Sequence, residues 1–413
     1  MPRPAPPTAL AAGLLAETEI VRLAARGDGM TADGRYVPLT APGDVVRFGA
    51  GCAEIVPGPR HAVPPCRHFP ECGGCQLQHI DDATYAAWAA ERIVAPLDAA
   101  GVRVGAVMPV HMSPPRSRRR AALKAVRAGG GIAIGFHAAG THRVVDMAEC
   151  HVLRPELFAL IAPLRTALAP LLPPGQGAGV TLTLTAAGVD VLLANIRAER
   201  AAERAALAAF AEGVDLARLS IEHEGGLETV ALRRVPVVPM GGALVELPPA
   251  AFLQATADGE AALVAAALDA LAPARRVADL FSGVGTFALP LAAAGKCLTA
   301  ADASGPALAA LARAAGGRIE TVHRDLFRRP FRADELKGFD GALFDPPRAG
   351  AKEQSAELAR SALARVVAVS CNPATFARDA ATLIAAGFAL QRLWPVAQFR
   401  WSNHLELAAL FTR

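Results

Sequence analysis

Near the start of the chain, short runs rich in apolar positions occupy residues 19–23, 34–39 and 44–48. These stretches are punctuated by Gly27, Gly29 and the pair Pro42-Gly43. Short runs bounded by turn residues predict strands, and three in so little sequence predict a small β-barrel. Over residues 82–99 the apolar spacing becomes helical. Residues 116–145 read as two strand-like halves parted by Gly129-Gly130-Gly131. Residues 150–235 alternate helix (154–171, 200–212) with strand (181–185, 190–195, 219–223). From about residue 240, short apolar runs (276–280, 297–301, 319–323, 341–344, 365–370) alternate with helical patterns (286–294, 307–315, 374–386). Runs with so little polar alternation are strands buried on both faces, so this region is expected to form a parallel sheet covered by helices.

Length changes the picture only by adding domains. A chain of 413 residues that is 53% hydrophobic fills more than one core. The pattern divides it into a short barrel (1–62), a central α/β region (63–238) and a mostly parallel α/β domain (239–413). Only four of the 42 basic residues are lysines, and the net charge of +4 permits nucleic-acid binding without requiring it. Residues 1–16 hold one arginine and a proline-broken apolar stretch with no convincing cleavage site, so no secretory leader is expected. The longest uncharged stretch, residues 166–189, is broken by prolines, glycines and a glutamine, so no membrane span is expected. Seven cysteines, an odd number, read as reduced thiols serving as ligands or nucleophiles, which places the protein in the cytoplasm.

Candidate chemistry begins at residues 279–288, Asp-Leu-Phe-Ser-Gly-Val-Gly-Thr-Phe-Ala, which follow a predicted strand and open a helix. Glycines let a ligand approach the backbone, and a helix N-terminus offers free N–H groups. Asp302, at the end of the next strand, can take two ribose hydroxyls. A dinucleotide or S-adenosylmethionine fits this loop equally well.

Three later signals narrow the choice. Asp345-Pro346-Pro347-Arg348 is an aspartate held in a turn that two prolines keep from becoming helix. Cys371, in Ser370-Cys371-Asn372-Pro373, ends an apolar run just before a helix, whose positive end is expected to lower the thiol pKa. Glu406, in Asn403-His404-Leu405-Glu406, supplies a carboxylate, with His404 close enough in sequence to orient it or to touch substrate. A nucleophile and a general base can be built from these parts. Upstream, Cys66-x5-Cys72-x2-Cys75 and the distant Cys150 have the spacing of a four-thiolate site, for which zinc and an iron–sulfur cluster are equal candidates. Cys52 and Cys297 fall outside that pattern and read as packing residues. Arg116, Arg118, Arg119, Arg120, Lys124 and Arg127 form a basic stretch that could neutralise phosphates.

Together, the cysteine quartet, Ser113-Pro114-Pro115 with the following Arg118-Arg119-Arg120, the loop at 279–287, the Asp345 turn, the Cys371 run and His404 with Glu406 resemble the RNA uridine-5 methyltransferase family. That family makes 5-methyluridine in ribosomal and transfer RNA, and the resemblance covers nearly the whole chain. It implies a class I, Rossmann-like methyltransferase domain using S-adenosylmethionine, a central α/β region, and an N-terminal OB-like (TRAM-like) RNA-binding barrel. It makes Cys371 the nucleophile and Glu406 the base, with Asp345 beside the cofactor and the target base. Gln254, Phe281, Thr286 and Asp302 match cofactor-site positions. Thr286 stands where the family commonly has asparagine and Asp302 where it has glutamate, and both replacements can still hydrogen-bond.

Family members with the quartet hold a [4Fe-4S] cluster, which the resemblance extends to Cys66, Cys72, Cys75 and Cys150. The implied partner is structured RNA, with 23S rRNA preferred and tRNA the alternative. Neither a membrane nor an obligate protein partner is implied. A cytosine-5 methyltransferase and a catalytically inactive RNA-binding cluster protein are the competing readings.

Overall fold

The computed structural model describes residues 16–49, 52–224 and 226–413. The leader region just considered therefore lies outside the described residues, apart from Ala16. No helix among the described residues is long and apolar enough to cross a membrane. The chain divides into two units, residues 1–64 with 77–85, and residues 65–76 with 86–413.

The first unit is a curled, five-stranded antiparallel half-barrel. Its strands run in the order Tyr36–Val37, Gly29–Thr31, Ala16–Leu23, Val45–Gly49, Cys52–Val56. Its small core joins Ile20, Val37 and Val46. The buried Asp44 carboxylate ties three loops together, accepting the Ala41 and Gly58 N–H groups and facing His61 Nδ1, each at 2.7 Å.

In the second unit a six-stranded sheet runs Gly226–Leu232, Arg218–His223, Gly188–Ala194, Gly177–Thr185, Arg120–Ala128, Gly131–Gly135. Its one parallel pair, Gly188–Ala194 with Arg218–His223, is bridged by the helix Ala201–Gly213. Alternate strand residues such as Leu123, Val180, Val191 and Leu219 point to one face and pack against helices. The helix expected over 154–171 is two pieces, Pro155–Phe158 and Ile161–Leu168, broken at residues 159–160.

The same unit contains a nine-stranded sheet in the order Ile319–His323, Cys297–Asp302, Arg276–Leu280, Gly341–Phe344, Arg365–Ser370, Glu406–Thr412, Ala389–Ala397, Val104–Val107. His111–Met112 also pairs with Ala389–Ala397. The first five strands are parallel, and Glu406–Thr412 runs antiparallel to both neighbours. The two members drawn from before residue 113 come from the central stretch, not from the region that reads as βαβα. Strand order reverses at Arg276–Leu280, so a crevice opens at its carboxyl end, where open α/β sheets hold ligands.

Helix starts gather on that side. Thr256, Ser304 and Asn372 cap the helices Ala257–Ala270, Gly305–Ala315 and Pro373–Ala385, each side-chain oxygen accepting a first-turn N–H. In the loop that follows Arg276–Leu280, Gly285 has φ +99°, and a Cβ there would lie 2.4 Å from Leu311 Cδ1. Glycine is required there by both backbone and packing.

Candidate active site

Sheet register brings the Cys371 and Glu406 side chains together. Arg365–Ser370 pairs antiparallel with Glu406–Thr412, with Ser370 opposite Leu407. One further step along that register sets Cys371 opposite Glu406. Gly341–Phe344 lies on the other side of Arg365–Ser370, so Asp345 emerges beside Cys371 at the carboxyl end of the sheet. A cleft of about 980 Å³ opens over them, lined by Gln254, Phe281, Thr286, Asp302, Asp345, Cys371 and Glu406 among others. Every catalytic and cofactor residue singled out in the sequence borders this one cavity.

The helix that starts after Cys371 also holds the Asp345 turn. Asn372 Nδ2 and Thr375 Oγ1 donate to the Arg348 carbonyl at 3.0 and 3.2 Å, Arg378 donates to the Ala349 carbonyl at 3.1 Å, and the buried Asp379 accepts the Ala351 N–H at 2.8 Å. Nucleophile candidate and acidic turn are thereby mounted on one rigid element. In the glycine loop, the Asp302 carboxylate accepts the Gly283 N–H at 2.9 Å and the Ser304 N–H at 2.7 Å, so it shapes the loop as well as facing the cleft. Phe281 is held at φ +63°, unusual for a residue with a side chain, and its ring meets Phe327 at 5.4 Å.

Electrostatics overturn one expectation. The Cys371 thiol is pushed up to about 11, first by burial and then by the Glu406 and Asp345 carboxylates, with Arg348 pulling the other way. The helix end does not offset this. Pro373 has no N–H, and the Asn372 side chain already takes the Ala374 N–H, so the first-turn donors that would stabilise a thiolate are reduced. Burial raises Asp345 to about 7. Glu406 rises to about 8 through burial and the Asp345 charge, opposed by a hydrogen bond from Gln398 and by Arg348. Asp279, fully buried beneath the loop, is raised well above the usual range by burial and by Asp345 and Asp302. The Ala288 N–H pulls against this, but neither carboxylate oxygen has a partner in hydrogen-bond geometry.

In the free protein Cys371 is therefore expected to alkylate slowly with iodoacetamide at pH 7.5 and much faster as pH approaches 11. Glu406→Gln should speed the reaction at pH 9, where it removes a negative charge. Peptide mass spectrometry over a pH series reads this, and a Cys371 as reactive at pH 7.5 as free cysteine would contradict it.

Three residues had no role in the sequence reading. Gln398, 2% exposed, donates to Gln254 Oε1 at 2.7 Å and hydrogen-bonds Glu406. The only sequence signal for it is a lone glutamine closing the mostly apolar segment 393–399. Glu406 takes its side-chain bond from Gln398 and not from His404, whose ring lies edge-on to Phe399 at 6.2 Å. Arg348 acts on both Cys371 and Glu406. Gln76 accepts the Asn403 N–H on Oε1 at 3.2 Å and donates its own N–H to the Trp401 carbonyl at 2.7 Å, which joins the cysteine-rich segment to the loop before Glu406.

The basic stretch does not form a single phosphate-binding strip. Arg119 is largely buried against Glu260, with Nη2 2.6 Å from its carboxylate, and Arg127 donates to the Ala169 and Leu172 carbonyls. Arg118 lies over Phe399 at 5.2 Å and Phe136 at 5.4 Å in the cleft wall, and Arg120 over Phe252 at 5.5 Å. Arg116 and Lys124 are exposed. Arg118 also donates to the Arg120 carbonyl at 3.0 Å, so internal hydrogen-bond or ion-pair partners occupy three of the six charges.

Cys66, Cys72, Cys75 and Cys150 form no disulfide among the described residues. The Gly73 N–H to the His137 carbonyl at 2.9 Å, the Ala148 N–H to His68 at 2.9 Å and the Arg67 N–H to Glu149 at 2.5 Å bind the two cysteine-bearing segments together. Burial raises Cys66, Cys72 and Cys150, and the charge of Cys66 adds to the rise of the other two. Among the described residues no group of three or more His, Cys, Asp or Glu side chains is set to hold a single metal ion. As a donor set, four thiols suit either a zinc or an iron–sulfur centre, and the Glu149 and Glu71 carboxylates lie near enough to raise Cys66 and Cys72. Cys297 is exposed, contrary to the packing role expected for it, because burial in the strand Cys297–Asp302 begins only at its second residue, Leu298. The side chain of Cys52 lies outside the described residues.

A sequence model of the tRNA (Uracil-5-)-methyltransferase family matches residues 327–413. An RNA methyltransferase from Zymomonas mobilis, itself uncharacterized, is 43% identical over 398 residues, covering 96% of this chain and 99% of the relative. The 23S rRNA (uracil(1939)-C(5))-methyltransferase of Chromohalobacter salexigens is 34% identical over 433 residues, covering 95% of this chain and 88% of the relative. Among solved structures, a Pyrococcus abyssi tRNA (uracil-54, C5)-methyltransferase in complex with S-adenosyl-L-homocysteine has the same fold, with TM-score 0.77 at 22% identity over 96% of this chain and 99% of that one.

Proposed function

The chain belongs to the RNA uracil-5-methyltransferase family, and on that premise we propose that it methylates carbon 5 of one uridine in 23S rRNA through a covalent Cys371 adduct resolved by Glu406. The observation that carries the mechanism is the register that sets Cys371 opposite Glu406 on the floor of the cleft. The full-length similarity to a 23S rRNA enzyme supports the choice of RNA.

Cys371 Sγ gives its proton to solvent water and bonds carbon 6 of the uracil, and the displaced electron pair moves through carbon 5 onto the carbonyl oxygen. When bound, S-adenosylmethionine supplies an electrophilic methyl group on a sulfonium. Carbon 5 bonds that methyl carbon while the electron pair of the broken bond stays on sulfur. Glu406, ionised, then takes the remaining proton from carbon 5. The released pair re-forms the ring double bond as the Cys371 thiolate leaves. Asp345, Gln254, Phe281, Thr286 and Asp302 would hold the cofactor, and the open space around Gly283 suits close approach of a ligand to the backbone. A target base must leave its stack to reach Cys371, so loop or single-stranded RNA is the expected form.

Cys66, Cys72, Cys75 and Cys150 would hold a [4Fe-4S] cluster. Its part would be to brace the segment that Gln76 ties to the loop before Glu406, which supports a positioning role over redox chemistry. Residues 1–62 would grip RNA as a TRAM-like element, with 63–238 holding the cluster and 239–413 carrying catalysis. Cysteines serving as ligands and nucleophile suit the reducing cytoplasm.

The test incubates anaerobically purified protein with methyl-labelled S-adenosylmethionine and, in parallel, unmodified 23S rRNA and tRNA, followed by nucleoside chromatography. Label in 5-methyluridine from 23S rRNA is the expected result. Label from tRNA alone would overturn the choice of RNA, and label in 5-methylcytidine would overturn the choice of base. No label, together with no cofactor binding, would favour an inert RNA-binding protein.

A further inference from the structure

We propose that Gln398 is a positioning residue that fixes the Glu406 carboxyl group and links it, through Gln254, to the Asp345 side of the cleft. This rests on Glu406 being the base. Gln398 directly follows the strand Ala389–Ala397 and is 2% exposed, so its amide has no solvent to satisfy it. A primary amide has one acceptor oxygen and a nitrogen with two hydrogens.

Neighbouring groups determine which way round this amide sits. Its Oε1 faces the Thr256 N–H at 3.4 Å, a group that can only donate. The nitrogen is then left for Gln254 Oε1 at 2.7 Å and for Glu406. Turned over, the amide would set N–H against N–H at Thr256 and oxygen against carboxylate at Glu406. The same logic orients Gln254. Its oxygen accepts from Gln398, so its nitrogen faces Asp345 Oδ2 at 3.5 Å.

The donors therefore run outward from the middle of the row, Gln398 towards Glu406 and Gln254 towards Asp345. Two carboxyl groups whose charges oppose each other are bridged by two neutral amides. Gly259 makes room for this arrangement. A Cβ there would lie 2.7 Å from Gln398 Cβ and 2.7 Å from Thr256 Oγ1. The first turn of the helix Ala257–Ala270 is bare where Gln398 packs.

Glu406 acts late in the reaction, so loss of its support should slow release of the methylated adduct more than the first methyl transfer. Gln398→Met keeps the length and removes both donors. It is expected to slow adduct release about tenfold or more at pH 7.5. It should also move the acid limb of the release-rate profile upward, because a carboxylate that loses a donor holds its proton more tightly.

Gly259→Ala keeps the Gln398 amide but displaces it, and should act in the same direction to a smaller extent. Release is followed by denaturing gel after a single turnover, with melting temperature and cofactor binding measured alongside. Wild-type release and an unmoved acid limb in Gln398→Met, or equal slowing of the first transfer and of release, would overturn the proposal. Glu406→Gln run in parallel separates the two readings. If it fails to slow release, the base assignment is wrong, and if it alone slows release, only the role of Gln398 is wrong.

Discussion

Cys371→Ala is expected to abolish methyl transfer, by on the order of 10⁴-fold or more, with cofactor binding intact. Carbon 5 of uracil becomes a strong enough nucleophile only after a thiolate has added at carbon 6, so no neighbouring group can replace the sulfur. Gln254, Phe281 and Asp302 lie on other strands and loops, and removing a half-buried thiol leaves their contacts unchanged. Cys371→Ser should not restore activity, since a hydroxyl in a site that already pushes a thiol up to about 11 stays protonated. Turnover assays with calorimetric cofactor titration check both variants. Residual turnover within tenfold of wild type would remove the covalent mechanism.

Glu406→Gln is expected to have the opposite signature in the same gel. The first methyl transfer proceeds, release stalls, and a methylated protein–RNA adduct accumulates while turnover falls by roughly 10²- to 10⁴-fold. The substitution should also change the pH dependence of stability. Glu406 is raised in the folded state to about 8 from an ordinary 4.5. Between those values the folded chain holds a proton that the unfolded chain has released, so stability is fully present below pH 4.5 and drains as pH rises through 8. Replacing the carboxyl with an amide should flatten the fall in melting temperature between pH 5 and 9. A fall as steep as wild type would show that Glu406 is not the buried acid responsible.

Much of this architecture could be read where local and tertiary signals agree. The helix Asp82–Ala99 and the strands Arg276–Leu280, Gly341–Phe344 and Arg365–Ser370 lie where apolar spacing puts them, because strands buried on both faces admit few polar residues, and the mostly uncovered edge strand Ile319–His323 also lies where expected. The strand Val104–Val107 was not legible. It is four residues long and mostly exposed, and it is defined by a partner far along the chain.

In the site, residue types with chemistry of their own were visible from spacing, whereas their environment was not. Nothing around Cys371 in the sequence announces that Glu406 and Asp345 will flank its thiol. The arginines at 118–120 look alike in the sequence, yet one pairs with Glu260 and the other two stack on aromatic rings. Gln398 was hidden for the same reason, since its partners Gln254 and Glu406 come from two other segments.

The placement of Val104–Val107 at the rim of the nine-stranded sheet has a consequence for synthesis. At roughly 5–20 residues per second, this strand leaves the ribosome on the order of tens of seconds before Ala389–Ala397, the strand it must join. All four cysteines of the quartet precede the βαβα region, so they too are synthesised before that part of the sheet. Meanwhile Val104–Val107 waits with its backbone unpaired. Its brevity makes it a weak template for foreign strands. Gly105, where a Cβ would come within 2.6 Å of the Gln391 carbonyl oxygen, permits the close approach to Ala389–Ala397 once that strand emerges.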